Sequence, residues 1–191
     1  DVYKRQEQCI ATPPSDMCVA LAALEATVHV ESVRGKRAIP FAEFHRLPGD
    51  APQYDNVLEA DELITHIALP DARRYARHSA YLKIRERLSY AFALVSVAAA
   101  LDIGSDGVIR SARIALGGVA HKPWRKPEAE ALLEGTRPDA DRFRQVADAL
   151  LDGARGQGHN DFKIRLARNT IVRALETAVQ GTVTNTGERH D

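Results

Sequence analysis

The order of two hydrophobic periodicities along the chain constrains its fold more than any other feature. Up to about residue 116, short segments rich in β-branched residues alternate apolar and polar positions, which is typical of strands with one buried face. After Pro127 the apolar residues recur at helical spacing instead. The chain shows no strand–helix–strand alternation and no internal repeat. This order predicts an α+β fold, in which antiparallel strands are followed by helices.

Six segments carry the strand pattern. Gly35 predicts a tight turn between the first two, and a glycine-containing turn at residues 104–107 predicts that the last two pair with each other. The fifth segment fits a helix equally well by periodicity alone, but its valines and the turn that follows favour a strand. The predicted strands are residues 26–32, 37–41, 62–69, 78–84, 91–101 and 108–116.

Four segments are predicted to be helices. The first, residues 17–24, follows Ser15 and Asp16, whose side-chain oxygens can accept hydrogen bonds from the free amides of a first turn. Such a cap is a commoner role for these two residue types than contact with a ligand. The polar tail at residues 180–191 is expected to be disordered. The other predicted helices are residues 127–134, 139–151 and 161–179.

Composition excludes several classes of protein without indicating a function. The 26 basic and 26 acidic residues balance, so no overall field draws the chain to nucleic acid or to an anionic membrane. No apolar run approaches the roughly 20 residues that a transmembrane helix needs. Cys9 and Cys18 form neither a disulfide framework nor a four-cysteine metal site. The seven histidines lack a metal-ligand spacing, and a structural or surface role is expected for His29.

Two sequence features have a plain structural interpretation and a functional alternative. Gly117 and Gly118 look like part of a phosphate loop, but a two-glycine turn after a strand is far commoner and no nucleotide-binding spacing surrounds them. The default interpretation of the basic residues Lys83, Arg85 and Arg87 is that they lie at a solvated strand end and in the loop after it. Their alternative is a contact with an anion or cofactor, because such donors suit phosphates and electron-rich rings. No catalytic constellation and no metal site is expected.

Several longer segments resemble, in the same order, the FAD-binding subunits of the molybdenum hydroxylases, the family of xanthine dehydrogenase and aldehyde oxidoreductase. Residues 9–21 read CIATPPSDMCVAL where the family usually reads CIATHPSDMAVAL, so Pro13 replaces a histidine. The similarity extends over about residues 8–178 and leans toward the bacterial periplasmic aldehyde oxidoreductase type. The other matching segments are residues 57–70, 81–96, 112–120, 122–125, 160–164 and 172–175.

The resemblance implies a domain organisation. Residues 8–72 correspond to the second half of an FAD-binding domain of the vanillyl-alcohol-oxidase (PCMH) type. Residues 77–179 correspond to the carboxy-terminal domain of CO dehydrogenase flavoproteins, built of antiparallel strands plus helices. Residues 1–7 do not match the family pattern. The family's glycine-rich segments for the FAD pyrophosphate precede the point where this chain begins, so the chain alone is expected to bind FAD poorly and to be inactive.

The resemblance also implies a function within a complex. An oxidoreductase of this family passes electrons from iron–sulfur clusters through FAD to an external acceptor, after a molybdopterin-binding large subunit has oxidised the substrate. A small subunit carries the [2Fe–2S] clusters, which makes a heterotrimer. An additional [4Fe–4S] cluster, present in some relatives, would lie upstream of this chain. Two compartments are compatible with the resemblance. One is the cytoplasm, and the other is the periplasm, which the protein would reach by export together with a partner subunit. The alternative is a non-catalytic subunit-docking module that binds no flavin on its own.

Five residues match positions near the flavin in the family pattern. Asp16 matches an FAD-contacting aspartate, and Ser15 beside it is a weaker candidate. Ile64 matches a position that packs or hydrogen-bonds through its backbone against FAD. Lys83 matches the last lysine of the FAD contacts, and Arg87 lies in the loop that follows. The resemblance therefore implies a cofactor site formed by these five residues.

Overall fold

Two antiparallel sheets of three strands each form the framework of the protein in this computed structural model, which describes residues 9–182. The two layers are linked by a helix near the start of the chain, and further helices follow the strands. The α+β expectation is confirmed. The expectations for residues 1–7 and for the tail at residues 183–191 lie outside the described residues.

The first sheet has the strand order β2-β1-β3, with β1 in the centre. It contains β1 (Thr27–Ser32), β2 (Gly35–Pro40) and β3 (Leu63–Ala68), and both pairings are antiparallel. The strands β1 and β3 were predicted within one residue at each end. The alternation of β1 matches one buried face, with Val28 and Val30 buried, whereas β3 alternates in sequence although none of its side chains is buried. The buried side chains of this layer are Leu21, Ala26, Val28, Val30, Ile39, Phe41 and Phe44.

The second sheet has the order β4-β5-β6 and supports the main hydrophobic core. Its strands are β4 (Ser79–Ile84), β5 (Val95–Ile103) and β6 (Ile109–Gly117). The ambiguous segment is therefore a strand, which begins at Val95 rather than Ala91. The sheet packs against the carboxy-terminal helices, and the largest fully buried side chains of this core are Leu101, Ile109, Ile114, Leu116, Leu133, Leu150, Ile171 and Leu175.

The helices follow the predicted order, with one addition. They are α1 (Asp16–Ala23), α2 (Phe41–Phe44), α3 (Pro127–Glu130), α4 (Ala140–Leu151) and α5 (Phe162–Gln180). The sequence did not indicate α2, a single turn that starts directly after β2. The segment predicted at residues 127–134 is α3 followed by a turn of 3₁₀ helix at Ala131–Leu133. None of the helices in residues 9–182 is long and apolar enough to span a bilayer.

Helix α1 lies between the two sheets and buries side chains against both. Leu21 packs with the first sheet, whereas Val19 and Ala23 pack with Ala98 and Ala115 of the second. A helix that is apolar on opposite sides is suited to burial between two layers. The position of α1 brings its amino-terminal residues close to β4, where the candidate site lies.

Gly117 is the last residue of β6 and Gly118 follows it, and both allow close packing there. A Cβ atom on Gly117 would collide with the side chains of Val19 and Ser96. Gly118 has φ +74, a backbone conformation that favours glycine, and a Cβ on it would lie 2.8 Å from the carbonyl oxygen of Leu94. The structural interpretation of this pair therefore accounts for both glycines.

Candidate functional site

An ion pair between Asp16 and Lys83 joins the first turn of α1 to β4. The Nζ atom of Lys83 lies 2.7 Å from Oδ2 of Asp16. The hydroxyl of Tyr81 donates a hydrogen bond of 2.9 Å to the other carboxylate oxygen, Oδ1. The Lys83 side chain is 23% exposed and that of Asp16 is 43% exposed, so the pair lies at the protein surface but is partly covered.

Local structure explains why these groups meet. Side chains alternate across a strand, so Tyr81 and Lys83 lie on the same face of β4. Ser15 is the N-cap of α1, and its Oγ accepts from the backbone N–H of Cys18 at 3.2 Å. This cap begins the helix at Asp16, whose negative charge is favourable near a helix amino terminus.

The surroundings keep Asp16 ionised and Tyr81 protonated. Partial burial raises the pKa of Asp16, but hydrogen bonds from Lys83 and Tyr81 and the positive charges of Lys83 and Arg85 outweigh burial, so its net pKa is lowered. Burial is the largest cause that raises the pKa of Tyr81, and the nearby Asp16 raises it further. Asp16 therefore acts as a carboxylate acceptor, and its two oxygens retain lone pairs for further donors.

The other two predicted site residues lie elsewhere on the surface. Ile64 is on β3 opposite Val30 of β1 and is 41% exposed. Arg87 lies in the loop between β4 and β5, where its guanidinium donates to the backbone oxygen of Tyr90 at 2.5 Å. Within residues 9–182, neither Ile64 nor Arg87 has a hydrogen bond or ion pair to Asp16 or Lys83. The structure thus brings Ser15, Asp16 and Lys83 together, and the places of Ile64 and Arg87 in a common site stay predictions.

Two features next to the Asp16–Lys83 pair were not predicted from the sequence. The first is Tyr81, which strand alternation alone could have indicated, because it precedes Lys83 by two positions. The second is the loop at residues 85–93, which exposes three large apolar side chains: Leu88, Tyr90 and Phe92. Tyr90 is 94% exposed and has φ 52, an uncommon backbone conformation for a residue with a side chain. Such strain is commonly found at ligand sites and interfaces.

A separate charged cluster joins α1 to the second sheet and its following segment. The Glu130 side chain is 3% exposed, and it accepts hydrogen bonds from the Nε of Arg125 at 2.6 Å and from the backbone N–H of Ile114 at 2.8 Å. Arg125 also pairs with Glu25 at 2.9 Å, and Glu25 pairs with Arg113 at 3.0 Å. All four side chains have opposite-charge partners here, so we interpret this cluster as structural.

The described residues contain no cluster of side chains that could form a metal site with three or more ligands. No group of three or more histidine, cysteine, aspartate or glutamate side chains in the described part of the chain is arranged to hold a metal ion. Cys9 and Cys18 are both free and half-buried.

Comparison with protein families divides the chain into two matched regions. Residues 8–72 match the FAD binding domain in molybdopterin dehydrogenase. Residues 79–178 match the CO dehydrogenase flavoprotein C-terminal domain. Asp16 lies in the first match, whereas Tyr81 and Lys83 lie in the second.

Curated relatives share a substantial part of the sequence. The chain is 43% identical over 173 residues to the aldehyde oxidoreductase FAD-binding subunit PaoB of Escherichia coli, which covers 90% of this chain and 50% of the relative. It is 32% identical over 140 residues to the glyceraldehyde dehydrogenase medium chain of Sulfolobus acidocaldarius, covering 73% of this chain and 47% of the relative. The chain therefore spans about half the length of these relatives.

Solved structures share the fold. Quinoline 2-oxidoreductase from Pseudomonas putida 86 superimposes with a TM-score of 0.75 and 27% identity over 89% of this chain and 57% of that chain. Carbon monoxide dehydrogenase from Hydrogenophaga pseudoflava gives a TM-score of 0.75 and 27% identity over 87% of this chain and 57% of that chain. Both structures support the arrangement of antiparallel sheets and helices described above.

Proposed function

The chain belongs to the FAD-binding subunits of the molybdenum hydroxylase family, and from this we propose that it forms one wall of an FAD site in an electron-transfer subunit. In this proposal, electrons arrive from iron–sulfur clusters on a partner subunit and leave the flavin for an external acceptor. FAD supplies the redox chemistry when it is bound. The residues of this chain bind and orient it.

The single observation that carries the proposal is the Asp16–Lys83 pair. It connects residues from the two matched regions, since Asp16 lies in the FAD-binding match and Lys83 in the C-terminal match. The ion pair therefore places a hydrogen-bond acceptor, Asp16, next to a hydrogen-bond donor, Lys83, on the surface. The partly covered position of both side chains strengthens hydrogen bonds to a ligand relative to open water.

The chemistry of these side chains fits a flavin nucleotide. The ionised Asp16 can accept hydrogen bonds from ribose or ribityl hydroxyls, and Lys83 can donate to flavin acceptor atoms or balance the charge of reduced flavin. Tyr81 orients the Asp16 carboxylate through its hydroxyl. Ser15 contributes by capping α1, because its Oγ accepts from the backbone N–H of Cys18.

Ile64 and Arg87, which have no hydrogen bond or ion pair to Asp16 or Lys83 within residues 9–182, are proposed as further flavin contacts on the family pattern alone. The exposed side chain of Ile64 offers an apolar surface for packing. Arg87 holds Tyr90 within its loop, with the guanidinium carbon 6.0 Å from the centre of the Tyr90 ring. This contact and the hydrogen bond from Arg87 to the Tyr90 backbone oxygen favour the observed conformation of the loop that follows Lys83.

The complex proposed for this subunit follows from its relatives. A molybdopterin-binding large subunit and a [2Fe–2S] small subunit would be its partners, in a heterotrimer that oxidises an aldehyde. The aldehyde substrate is proposed because the Escherichia coli relative is an aldehyde oxidoreductase subunit. The family membership does not favour the alternative of a docking module without flavin.

Flavin content of the assembled complex tests the proposal. We expect Asp16→Asn and Lys83→Gln each to weaken FAD binding by about tenfold or more, since a hydrogen bond to a charged group contributes about 1.5–3 kcal/mol. The measurement is flavin absorbance per subunit after dialysis against a range of FAD concentrations. Asp71→Asn is the matched control, because it breaks an exposed ion pair with Arg73 away from the site.

Two outcomes would contradict parts of the proposal. Unchanged FAD affinity in both site variants would remove Asp16 and Lys83 from the cofactor site. A wild-type complex that assembles without flavin would favour the docking module instead. Electron transfer is tested separately by adding an aldehyde without oxygen, which should bleach the flavin absorbance, and persistence of the oxidised spectrum would count against that role.

A further inference from the structure

A cavity of about 660 Å³ lies at the carboxy-terminal end of α1. The residues that line it come from the end of α1, from the segment around α2, and from the segment between β6 and α3. Its volume is within the range of small-molecule sites in proteins. Asp16 is at the opposite end of α1, so the cavity is separate from the candidate flavin site.

The lining of this cavity is mainly apolar and contains flat rings. Trp124 contributes its indole and Phe41 contributes its benzene ring, while Ala22 and Ala26 add only methyl groups. Aromatic groups pack favourably by offset stacking or edge to face, so such a lining favours a ligand with a planar ring. The other apolar residues are Pro40, Ala42, Leu47, Pro123 and Pro127.

His45 adds an uncharged ring to the lining. Its imidazole packs edge-on against Phe41 and Phe44, with ring centres 5.2 Å and 5.1 Å apart. Burial is the largest cause that lowers the pKa of His45, the positive charge of Lys122 lowers it further, and Asp55 opposes them. His45 is therefore neutral at neutral pH and brings no charge of its own to the cavity.

The charged residues of the lining leave one cation without a counter-ion. Arg125 is paired with Glu25 and Glu130. Lys126 donates to backbone oxygens at the end of α4. Lys122 donates to a backbone oxygen of α2 at 3.3 Å, and within residues 9–182 it has no ion pair with a carboxylate. Further donors of its ammonium group remain for a ligand.

We propose that this cavity binds a small aromatic carboxylate, with its ring against the apolar lining and its carboxylate beside Lys122. The apolar surroundings strengthen a charge-assisted hydrogen bond between the ammonium and the carboxylate, because they exclude water. Glu128 also lines the cavity and would repel an anion, but its side chain is exposed, so solvent screens this repulsion. The proposal does not depend on the proposed flavin function.

NMR titration of the full chain tests this proposal. The chain contains a single tryptophan, so one indole N–H signal reports on the cavity. The probes are 2-naphthoate and 2-naphthalenemethanol, which share a ring system and differ in charge. We expect both to shift the indole signal in a saturable way, with 2-naphthoate binding about tenfold more tightly because its hydrogen bond to Lys122 is between charged groups.

Three variants separate the contribution of the charge from that of the apolar lining. Lys122→Met keeps the aliphatic part of the side chain, and should weaken 2-naphthoate by about tenfold while leaving 2-naphthalenemethanol unchanged. Leu47→Ala removes apolar contact area, and should weaken both probes. Lys36→Met is the matched control, since it removes an exposed lysine of β2 outside the cavity, and should change neither affinity.

Circular dichroism and the Tm of each variant check that it is folded. The absence of a saturable indole shift up to the solubility limit of 2-naphthoate would overturn the proposed site. Equal affinity for the two probes, or an equal loss of both in Lys122→Met, would overturn the assignment of a carboxylate as the ligand.

Discussion

At the scale of single residues, Asp16 shows how two neighbours on one strand control the charge of a third group. Lys83 and Tyr81 each donate to a different oxygen of its carboxylate. Lys83 contributes a charge and a hydrogen bond, whereas Tyr81 contributes a hydrogen bond alone. The geometry therefore allows the contribution of Tyr81 to be tested without removing the ion pair.

We predict that Tyr81→Phe raises the pKa of Asp16 toward its ordinary value. The variant removes one hydrogen bond that favours the ionised form, while Lys83 stays in place. Loss of this hydrogen bond favours the protonated carboxyl, so Asp16 should titrate at a higher pH than in the wild type. Carboxyl-carbon NMR titration of Asp16 measures this shift.

The sign of this change also sets a pH dependence. Because the pKa of Asp16 is lowered in the folded protein, its contribution to stability is present at neutral pH and is lost as pH falls through that lowered pKa. In Tyr81→Phe the loss should begin at a higher pH. Tyr90→Phe removes the hydroxyl of an exposed tyrosine and should leave the titration of Asp16 as it is in the wild type. An unchanged pKa in Tyr81→Phe would show that the hydroxyl does not hold the carboxylate.

At the scale of elements, α1 determines how the two layers meet. Its residue Val19 packs against β5 and β6 at a place where Gly117 has no side chain. Small residues on the second sheet, Ala98 and Ala115, extend this close approach. The position of α1, and with it the position of Asp16, therefore depends on the absence of a methyl group at residue 117.

We predict that Gly117→Ala destabilises the protein by about 1–3 kcal/mol, the usual cost of forcing an extra carbon into a packed core. The added Cβ would collide with the side chains of Val19 and Ser96. Urea unfolding measures the change in free energy of unfolding.

A double variant distinguishes this collision from a backbone effect of alanine. In a Val19→Ala background the space for the new methyl is larger, so the added cost of Gly117→Ala should be smaller than in the wild type. If the free-energy costs of the two substitutions are additive, the collision with Val19 is not the source of the destabilisation. Flavin affinity should fall with Gly117→Ala in the assembled complex if α1 moves.

At the scale of the whole molecule, the cluster of Glu25, Arg113, Arg125 and Glu130 connects the end of α1 to β6 and α3. Burial lowers the pKa of Arg125 in part, but hydrogen bonds and charges from Glu130 and Glu25 outweigh burial and raise its net pKa. Burial likewise raises the pKa of Glu25, and Arg125 and Arg113 reverse this, so its net pKa is lowered. The partners of Arg125 thus keep a largely buried cation charged and hold the two layers together.

We predict that Glu25→Gln lowers the free energy of unfolding at neutral pH by about 1 kcal/mol or less, because Glu25 is half exposed and solvent screens its pairs. A carboxylate with a lowered folded pKa stabilises the protein above its ordinary pKa, and the effect disappears as pH falls through the lowered value. Urea unfolding from about pH 7 to about pH 3 should therefore show the wild type and Glu25→Gln converging in acid.

The matched control is Glu43→Gln, which removes an exposed carboxylate outside the cluster. It should leave the free energy of unfolding within about 0.5 kcal/mol of the wild type at every pH tested. A gap between wild type and Glu25→Gln that stays constant into acid would show that the charge of Glu25 is not its source.

The sequence by itself determined the elements of this protein, because their signals are local. Alternation in β1 and β3 follows from the period of a strand, and the Ser15 cap follows from the free amides of a first helical turn. Asp16 and Lys83 could each be identified as site candidates by the family pattern around them. Periodicity alone cannot distinguish strand from helix in β5, because an apolar run buried on both faces loses its period, and the strand was predicted from its valines and the turn that follows.

Only the tertiary structure decided which of these residues meet. Asp16 and Lys83 are 67 positions apart, and their contact depends on how α1 packs between the two sheets. The pairing of His29 with His66 likewise depends on β3 returning beside β1 and on the bulge at Thr65. Such contacts arise from shape and burial between distant segments, which no local periodicity encodes. The charge and hydrogen bonds of Asp16 are therefore properties of the fold.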